Sequence, residues 1–149
     1  MRVFSQEEID EAKSEVRAMF GDEVCEVSQV GSTYISGAGE DLDLVVRLRE
    51  RGFKGWDLLD AIEGHGAILD QHGYISTGQD SGNEDDFATY RKGDVNLMVT
   101  YDVGFIAQFE QAAEVCKYVH GLLFKTHGHG LDKVHRIKIH RIIMNEEEA

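Results

Sequence analysis

The sequence predicts a layered α/β fold in which helices pack on one small mixed sheet. Two kinds of pattern indicate it. Apolar residues at every second position are typical of strands, and apolar residues at every third or fourth position are typical of amphipathic helices. The predicted order is helix, strand, strand, helix, hairpin, helix, helix. That order lacks the regular strand–helix alternation of a doubly wound parallel sheet and favours an α+β arrangement.

The helices are predicted from apolar spacing and capping residues. Ser5 and Glu8 have the capping-box spacing at the start of the first helix, Ser5–Phe20, and Gly21 ends it. The later predicted helices are Trp56–Leu69, Val103–Phe124 and a basic helix at Leu131–Met144.

The strands are predicted from alternation and from turn residues. The strand predictions are Val24–Val30, Leu42–Leu48, a short Tyr74–Thr77, and a hairpin of Phe87–Arg91 and Val95–Tyr101 around Lys92-Gly93-Asp94. We expect turn-rich or polar loops at Gly31–Glu40, Gly78–Asp86 and His127–Gly130.

Length and composition bound the function. With 149 residues, 42% hydrophobic and 29% charged, the chain predicts a single globular domain, 1–149, with a helical C-terminal extension from about residue 103. The 28 acidic and 15 basic residues give a net charge of -13, which argues against a sequence-independent nucleic-acid binder.

Several classes of protein are excluded by what the sequence lacks. No apolar run approaches the roughly 20 residues of a membrane helix, and the charged N-terminus does not resemble a signal peptide. Cys25 and Cys116 are far apart and predict free thiols rather than a disulfide or a zinc site. We therefore expect a cytoplasmic protein that has no membrane partner.

The informative stretch is Gly31-Ser32, followed after eight residues by a strand that contains Asp41 and Asp43. A glycine at a strand end lets backbone N–H groups approach a ligand, and such a turn can cradle phosphate oxygens. Asp41 and Asp43 are two residues apart, so a strand places both carboxylates on one face. Two neighbouring carboxylates repel each other unless a cation neutralises them, and their oxygens suit Mg²⁺ or Mn²⁺.

A third carboxylate, Asp94, opens the second strand of the predicted hairpin. If that strand pairs beside Leu42–Leu48, Asp94 can join Asp41 and Asp43. Three carboxylates can hold two metal ions, as in-line phosphoryl transfer requires. The alternative from the residues alone is that Asp41 lies in a solvated loop and Asp43 pairs with a nearby Lys or Arg.

This arrangement resembles the nucleotidyltransferase superfamily that includes DNA polymerase β, over roughly Ser5–Asp102. The small size, and the stretch Phe87–Thr100 in particular, look like minimal bacteriophage-encoded members. The resemblance implies that Gly31 and Ser32 hold the triphosphate and that Asp41 and Asp43 bind both Mg²⁺ or Mn²⁺ ions. It also implies that Asp94 binds the catalytic ion and helps to deprotonate the acceptor hydroxyl.

The sequence departs from the family pattern in the loop between Ser32 and Asp41, which carries no Arg or Lys. The phosphate charge must then be met elsewhere. Arg91 and Lys92, beside Asp94, are the nucleotide-binding candidates, and the strand that follows Asp41 ends with Arg47 and Arg49.

Two C-terminal features have competing interpretations. The basic helix Leu131–Met144 could meet nucleotide or RNA phosphates, pack its apolar residues on the core with its charges in water, or form a homodimer interface. His127 and His129 lie in a glycine-flanked segment, and a surface loop is the better interpretation than a metal site because few other ligands are near.

The sequence thus predicts a metal-dependent nucleotidyltransferase that moves a nucleoside monophosphate from an NTP to an acceptor hydroxyl. The acceptor is a protein side chain, a tRNA end or a small molecule. The alternative is a catalytically inactive binding module of the same fold that acts on a host or partner protein.

Overall fold

The computed structural model describes residues 2–49, 67–78 and 87–143, and a five-stranded mixed sheet lies at its centre. Its strands are β2 (Val24–Val30), β4 (Leu42–Leu48), β5 (Ile75–Gly78), β6 (Ala88–Lys92) and β7 (Val95–Thr100). Their spatial order is β2-β4-β7-β6-β5; β4 and β7 are parallel, and the other neighbours are antiparallel. Separately, β1 (Arg2–Val3) pairs with β3 (Ala38–Gly39). The second strand of the predicted hairpin, β7, pairs beside β4, which meets the condition set for Asp94 to join Asp41 and Asp43.

The helices are α1 (Gln6–Phe20), α2 (Gly31–Ser36), α3 (described over residues 67–71), α4 (Val103–His127) and α5 (Lys133–Ile143). The predicted capping box is present at α1, since the Ser5 hydroxyl accepts from the Glu8 N–H at 3.1 Å and the Glu8 carboxylate accepts from the Ser5 N–H at 3.1 Å. The side-chain carboxylate of Asp102 caps the N-terminus of α4. Most of the predicted helix Trp56–Leu69, and the predicted loop beyond Gly78, lie outside the described residues.

Both faces of β4 are covered, and this placement creates the site. The even-numbered residues, Leu42, Leu44, Val46 and Leu48, are buried in a core that α1 closes. On the opposite face, Val45 packs with Ile106 and Ala113 of α4. Each buried aliphatic side chain stabilises the fold by about 1.5–3 kcal/mol. Asp41 and Asp43 share the α4 face, because strand side chains alternate.

The predicted loop Gly31–Glu40 is not wholly irregular: it contains α2 and β3. Gly31, with φ +74°, ends β2 and turns the chain into the helix. The Ser36 hydroxyl then donates to the Ser32 carbonyl at 3.0 Å, and Gly37 closes α2 by donating its N–H to the Thr33 carbonyl at 2.9 Å. Two glycines with positive φ thus set a helix too short to be predicted from periodicity.

The C-terminal helix α5 does not bury its apolar residues in the core, which was one of its three interpretations. None of the α5 residues is buried, and Val134 and Ile142 are 73% and 61% exposed. The α5 helix therefore rests on α4 and does not enter the core. Cys25 and Cys116 are free thiols, as predicted.

No helix among the described residues is long and apolar enough to cross a membrane.

Candidate functional site

Asp41 and Asp43 lie side by side on the α4 face of β4, as their spacing predicts. Asn96, on the parallel strand β7, is in register with Asp43. Its side-chain amide donates to Asp43 Oδ1 at 3.1 Å and reaches Asp41 Oδ2 at 3.4 Å. One amide nitrogen therefore touches both carboxylates, which shows that their oxygens converge. Asn96 is a site residue that the sequence analysis missed, although its place two residues after Asp94 on a strand was a usable signal.

Arg91 neutralises one of the two carboxylates. Its guanidinium donates to Asp41 Oδ1 at 2.6 Å and to Oδ2 at 3.2 Å, and also to the Asn96 side-chain oxygen at 3.1 Å. The hydrogen bond and the charge of Asp41 raise the pKa of Arg91 above its ordinary value. Arg91 thus lies beside the carboxylates as a partner of Asp41, and its role in nucleotide binding stays a prediction.

The carboxylate of Asp43 is perturbed by its surroundings. Burial raises its pKa above the ordinary value, the negative charge of Asp41 adds to that effect, and the hydrogen bond from Asn96 opposes it. Gly31 leaves room for the Asp43 carboxylate, since a Cβ at residue 31 would overlap Asp43 Oδ2. A glycine is therefore required at position 31 for two reasons: the backbone has a positive φ, and the Asp43 carboxylate packs against it.

Asp94 does not join the pair in this structure. Its carbonyl accepts from the Leu42 N–H at 2.7 Å, so its backbone lies beside β4. Its side chain, 55% exposed, is ion-paired with Arg2, which also pairs with Glu8 at the start of α1. Asp94 lies in the β6–β7 turn, where the strict alternation of a strand does not hold.

Lys92 lies on the other side of the sheet. It forms an ion pair with Glu15 of α1 at 2.6 Å. Because Arg91 and Lys92 are consecutive on β6, their side chains leave opposite faces, and only Arg91 reaches the carboxylates. Arg47 is also engaged elsewhere, in an ion pair with Glu26 at 3.0 Å.

A cavity of about 460 Å³ opens in front of the carboxylates. One side, the acidic wall, is formed by Glu40, Asp41 and Asp43 with Asn96. Lys133 and Arg136 of α5 line the same cavity with His120, and these two cations are called the basic wall. Ser32 also lines the cavity, whereas Gly31 lines a smaller adjoining one. The sequence indicated the basic character of α5 but not that it faces Asp43.

The carboxylate pair fits a single divalent cation. Mg²⁺ and Mn²⁺ prefer oxygen ligands, and Asp41 and Asp43 offer oxygens close enough to share one amide donor. Arg91 would have to leave Asp41 for the ion to bind there. Among the described residues, no group of three or more His, Cys, Asp or Glu is assembled that could hold a metal. A two-ion site therefore requires Asp94 to turn from Arg2.

The chain is similar in structure to the conserved protein GrpB from Enterococcus faecalis, with a TM-score of 0.54 and 17% identity over 94% of this chain and 92% of that chain. No protein-family model matches the chain, and no curated protein matches it. At this identity the likeness concerns the fold. It agrees with the mixed sheet and packed helices seen here, and the predicted α+β fold class, a small mixed sheet with helices packed on it, is confirmed.

Proposed function

We propose that the chain is a Mg²⁺- or Mn²⁺-dependent nucleotidyltransferase whose site is the cavity between the acidic and basic walls. The observation that carries this proposal is the pair Asp41 and Asp43, side by side at a cavity of nucleotide size in a nucleotidyltransferase-like fold. The burial of Asp43 supports the proposal, because burying an ionised carboxylate costs free energy that a bound cation would offset.

In the proposed reaction, an acceptor oxygen forms a bond to the α-phosphorus of an NTP while the bond from that phosphorus to the β-phosphate oxygen breaks. Pyrophosphate leaves, and the acceptor's proton passes to a base, for which Asp94 is the candidate. Asp41 and Asp43 would hold the ion, which supplies charge stabilisation for the attacking and leaving oxygens. Ser32 would contact the phosphates from the side of α2.

Calorimetric titration of each NTP, with and without Mg²⁺ or Mn²⁺, tests the proposal. We expect metal-dependent binding that Asp43→Asn removes and that Asp10→Asn, a matched change on α1, leaves intact. Incubation with α-labelled nucleotide and protein, tRNA and small-molecule acceptors then identifies the acceptor. Folded protein that binds no NTP with either metal would overturn the proposal.

A second candidate function is a binding module of the same fold without catalysis. Two ion pairs favour it: Arg91 is paired with Asp41, and Arg2 is paired with Asp94, which keeps Asp94 away from Asp41 and Asp43. This alternative predicts that binding of a partner or nucleotide survives Asp41→Asn and Asp43→Asn and is indifferent to divalent metal. The same titrations therefore separate the two functions.

A further inference from the structure

The basic wall of the cavity has features of an anion site. Lys133 and Arg136 are three residues apart on α5, a spacing that places them on one side of a helix. Both line the 460 Å³ cavity that Asp41 and Asp43 also line. Arg136 also lines the smaller adjoining cavity of about 150 Å³, together with Asp43 and Ser32. Arg136 is therefore shared by the two cavities.

The basic wall is fixed in place before any ligand binds. The Leu131 N–H donates to His120 Nδ1 at 3.0 Å and ties the start of the α5 segment to α4. The Asp132 carboxylate accepts from the His135 N–H at 2.9 Å and from the His135 ring at 2.8 Å, which closes the first turn of α5. These contacts order the backbone that carries Arg136, so less backbone entropy is lost when a ligand is bound.

Arg136 lacks the direct carboxylate partner that three other arginines of the described chain have, although its charge acts on Asp43. Arg2, Arg47 and Arg91 are each ion-paired. Arg136, although half-buried, has no hydrogen bond or ion pair through its guanidinium among the described residues. A half-buried cation that faces a cavity without a direct partner is suited to an anionic ligand.

We propose that Arg136 and Lys133 bind the phosphate chain of a polyphosphate ligand that lies across the cavity with its metal ion on the acidic wall. This inference rests on the proposed function and adds the residues that recognise the substrate. A polyphosphate alone would be repelled by Asp41 and Asp43, whereas a metal–polyphosphate complex presents a cation to one wall and an anion to the other. The guanidinium fork of an arginine matches phosphate oxygens in two-point contacts.

The test is titration of Mg²⁺–ATP, Mg²⁺–tripolyphosphate and adenosine into the protein and its variants. Arg136→Gln and Lys133→Gln remove the two contacts. Lys138→Gln is the matched control, because it removes the same charge from the same helix outside the cavity. Arg136→Lys keeps the charge without the fork, and thermal unfolding verifies that each variant is folded.

We expect Arg136→Gln to weaken ATP binding roughly 10- to 100-fold and Lys133→Gln to weaken it less, since hydrogen bonds to charged groups have about that effect. Arg136→Lys should recover part of the affinity, and Lys138→Gln should bind as the original protein does. Tripolyphosphate that binds with the same dependence on Arg136 would show that the phosphate chain alone suffices; binding of ATP only would assign the site to nucleotides.

Equal weakening by Lys138→Gln, unchanged affinity in Arg136→Gln, or adenosine binding as tight as ATP would overturn the inference. Its failure is distinguishable from failure of the proposed function. Loss of metal dependence in Asp43→Asn tests the acidic wall whether or not Arg136 takes part. Tripolyphosphate binding that depends on Arg136, in a protein that transfers no α-label, would support the phosphate site and not the transferase.

Discussion

The carboxylate pair on β4 and the carboxylate in the β6–β7 turn show different behaviour, although their backbones are neighbours. Asp43 lies on the central strand β4, in register with Asn96 of β7. Asp41 immediately precedes that strand and is held beside Asp43 by hydrogen bonds from Arg91 and Asn96. Asp94 likewise immediately precedes its strand, β7, but its side chain is ion-paired with Arg2. The Asp41 side chain is 24% exposed and that of Asp94 is 55% exposed. The contacts of Arg91 and Asn96 hold the first two carboxylates together, whereas Asp94 must leave Arg2 to join them.

The largest difference is expected between Asp43→Asn and Asp94→Asn in binding of Mn²⁺ without nucleotide. Loss of an outer partner of a metal ligand typically costs 10- to 100-fold in affinity, so loss of a ligand such as Asp43 should cost more than about 100-fold. Asp94→Asn should change Mn²⁺ affinity less than about 3-fold, on the same scale. Calorimetry or paramagnetic resonance measures both. Equal losses would mean that Asp94 already faces the pair in solution.

The next prediction compares Gly31 with Gly93, a glycine of the β6–β7 turn with φ +55° and open space around its Cβ position. Gly93→Ala should cost about 1–2 kcal/mol for the left-handed backbone alone. Gly31→Ala carries the same backbone cost plus overlap with Asp43, about 1–3 kcal/mol more. Urea unfolding measures the free energies. Similar losses at both glycines would contradict the close approach of Asp43 to Gly31.

Arg91 provides a smaller effect of opposite sign. Arg91→Ala removes the cation that competes with the metal for Asp41 and should raise metal affinity by about 10-fold. A neighbouring opposite charge changes the equilibrium between a carboxylate and a bound cation, such as a proton, by at least that factor. Arg47→Ala is the control, since Arg47 of β4 pairs with Glu26 of the neighbouring strand β2 and not with Asp41. A fall in nucleotide affinity at unchanged metal affinity would instead place Arg91 on the ligand, as the sequence analysis expected.

The smallest effect concerns stability in the metal-free protein. The pKa of Asp43 is raised in the folded state, so its ionised form destabilises the fold at pH values above that raised pKa. Asp43→Asn should therefore increase the melting temperature at neutral pH. The gain should shrink as the pH falls through the raised pKa and should vanish below the ordinary aspartate pKa, where the carboxyl is neutral in both states. A gain that grows on acidification would contradict the burial of Asp43.

Residue spacing predicted most of the regular structure and part of the site. Period-two alternation placed Asp41 and Asp43 on one face, and capping chemistry located the start of α1. The same alternation argues that Arg91 and Lys92 face opposite ways, yet both were expected at the nucleotide. Local pattern carries this information because strand geometry converts it directly into direction.

The remaining features depend on tertiary contacts that no local pattern encodes. The direction of the Asp94 side chain follows from Arg2, which is 92 residues away in sequence. Asn96 enters the site through the register of β7 on β4, and Arg136 faces Asp43 only because α5 folds back along α4. The α2 helix is bounded by Gly31 and Gly37, which both have positive φ. Glycine also adopts negative φ readily, so its presence in the sequence does not by itself predict this conformation.

The most direct test of the site is diffraction at the manganese absorption edge from crystals grown with Mn²⁺ and a non-hydrolysable NTP analogue. We predict an anomalous peak between Asp41 and Asp43, with the Arg91 guanidinium displaced from Asp41 and the phosphates against Arg136. Crystals that contain the nucleotide but show no manganese at the pair, with the Arg91–Asp41 ion pair intact, would contradict a metal-dependent transferase.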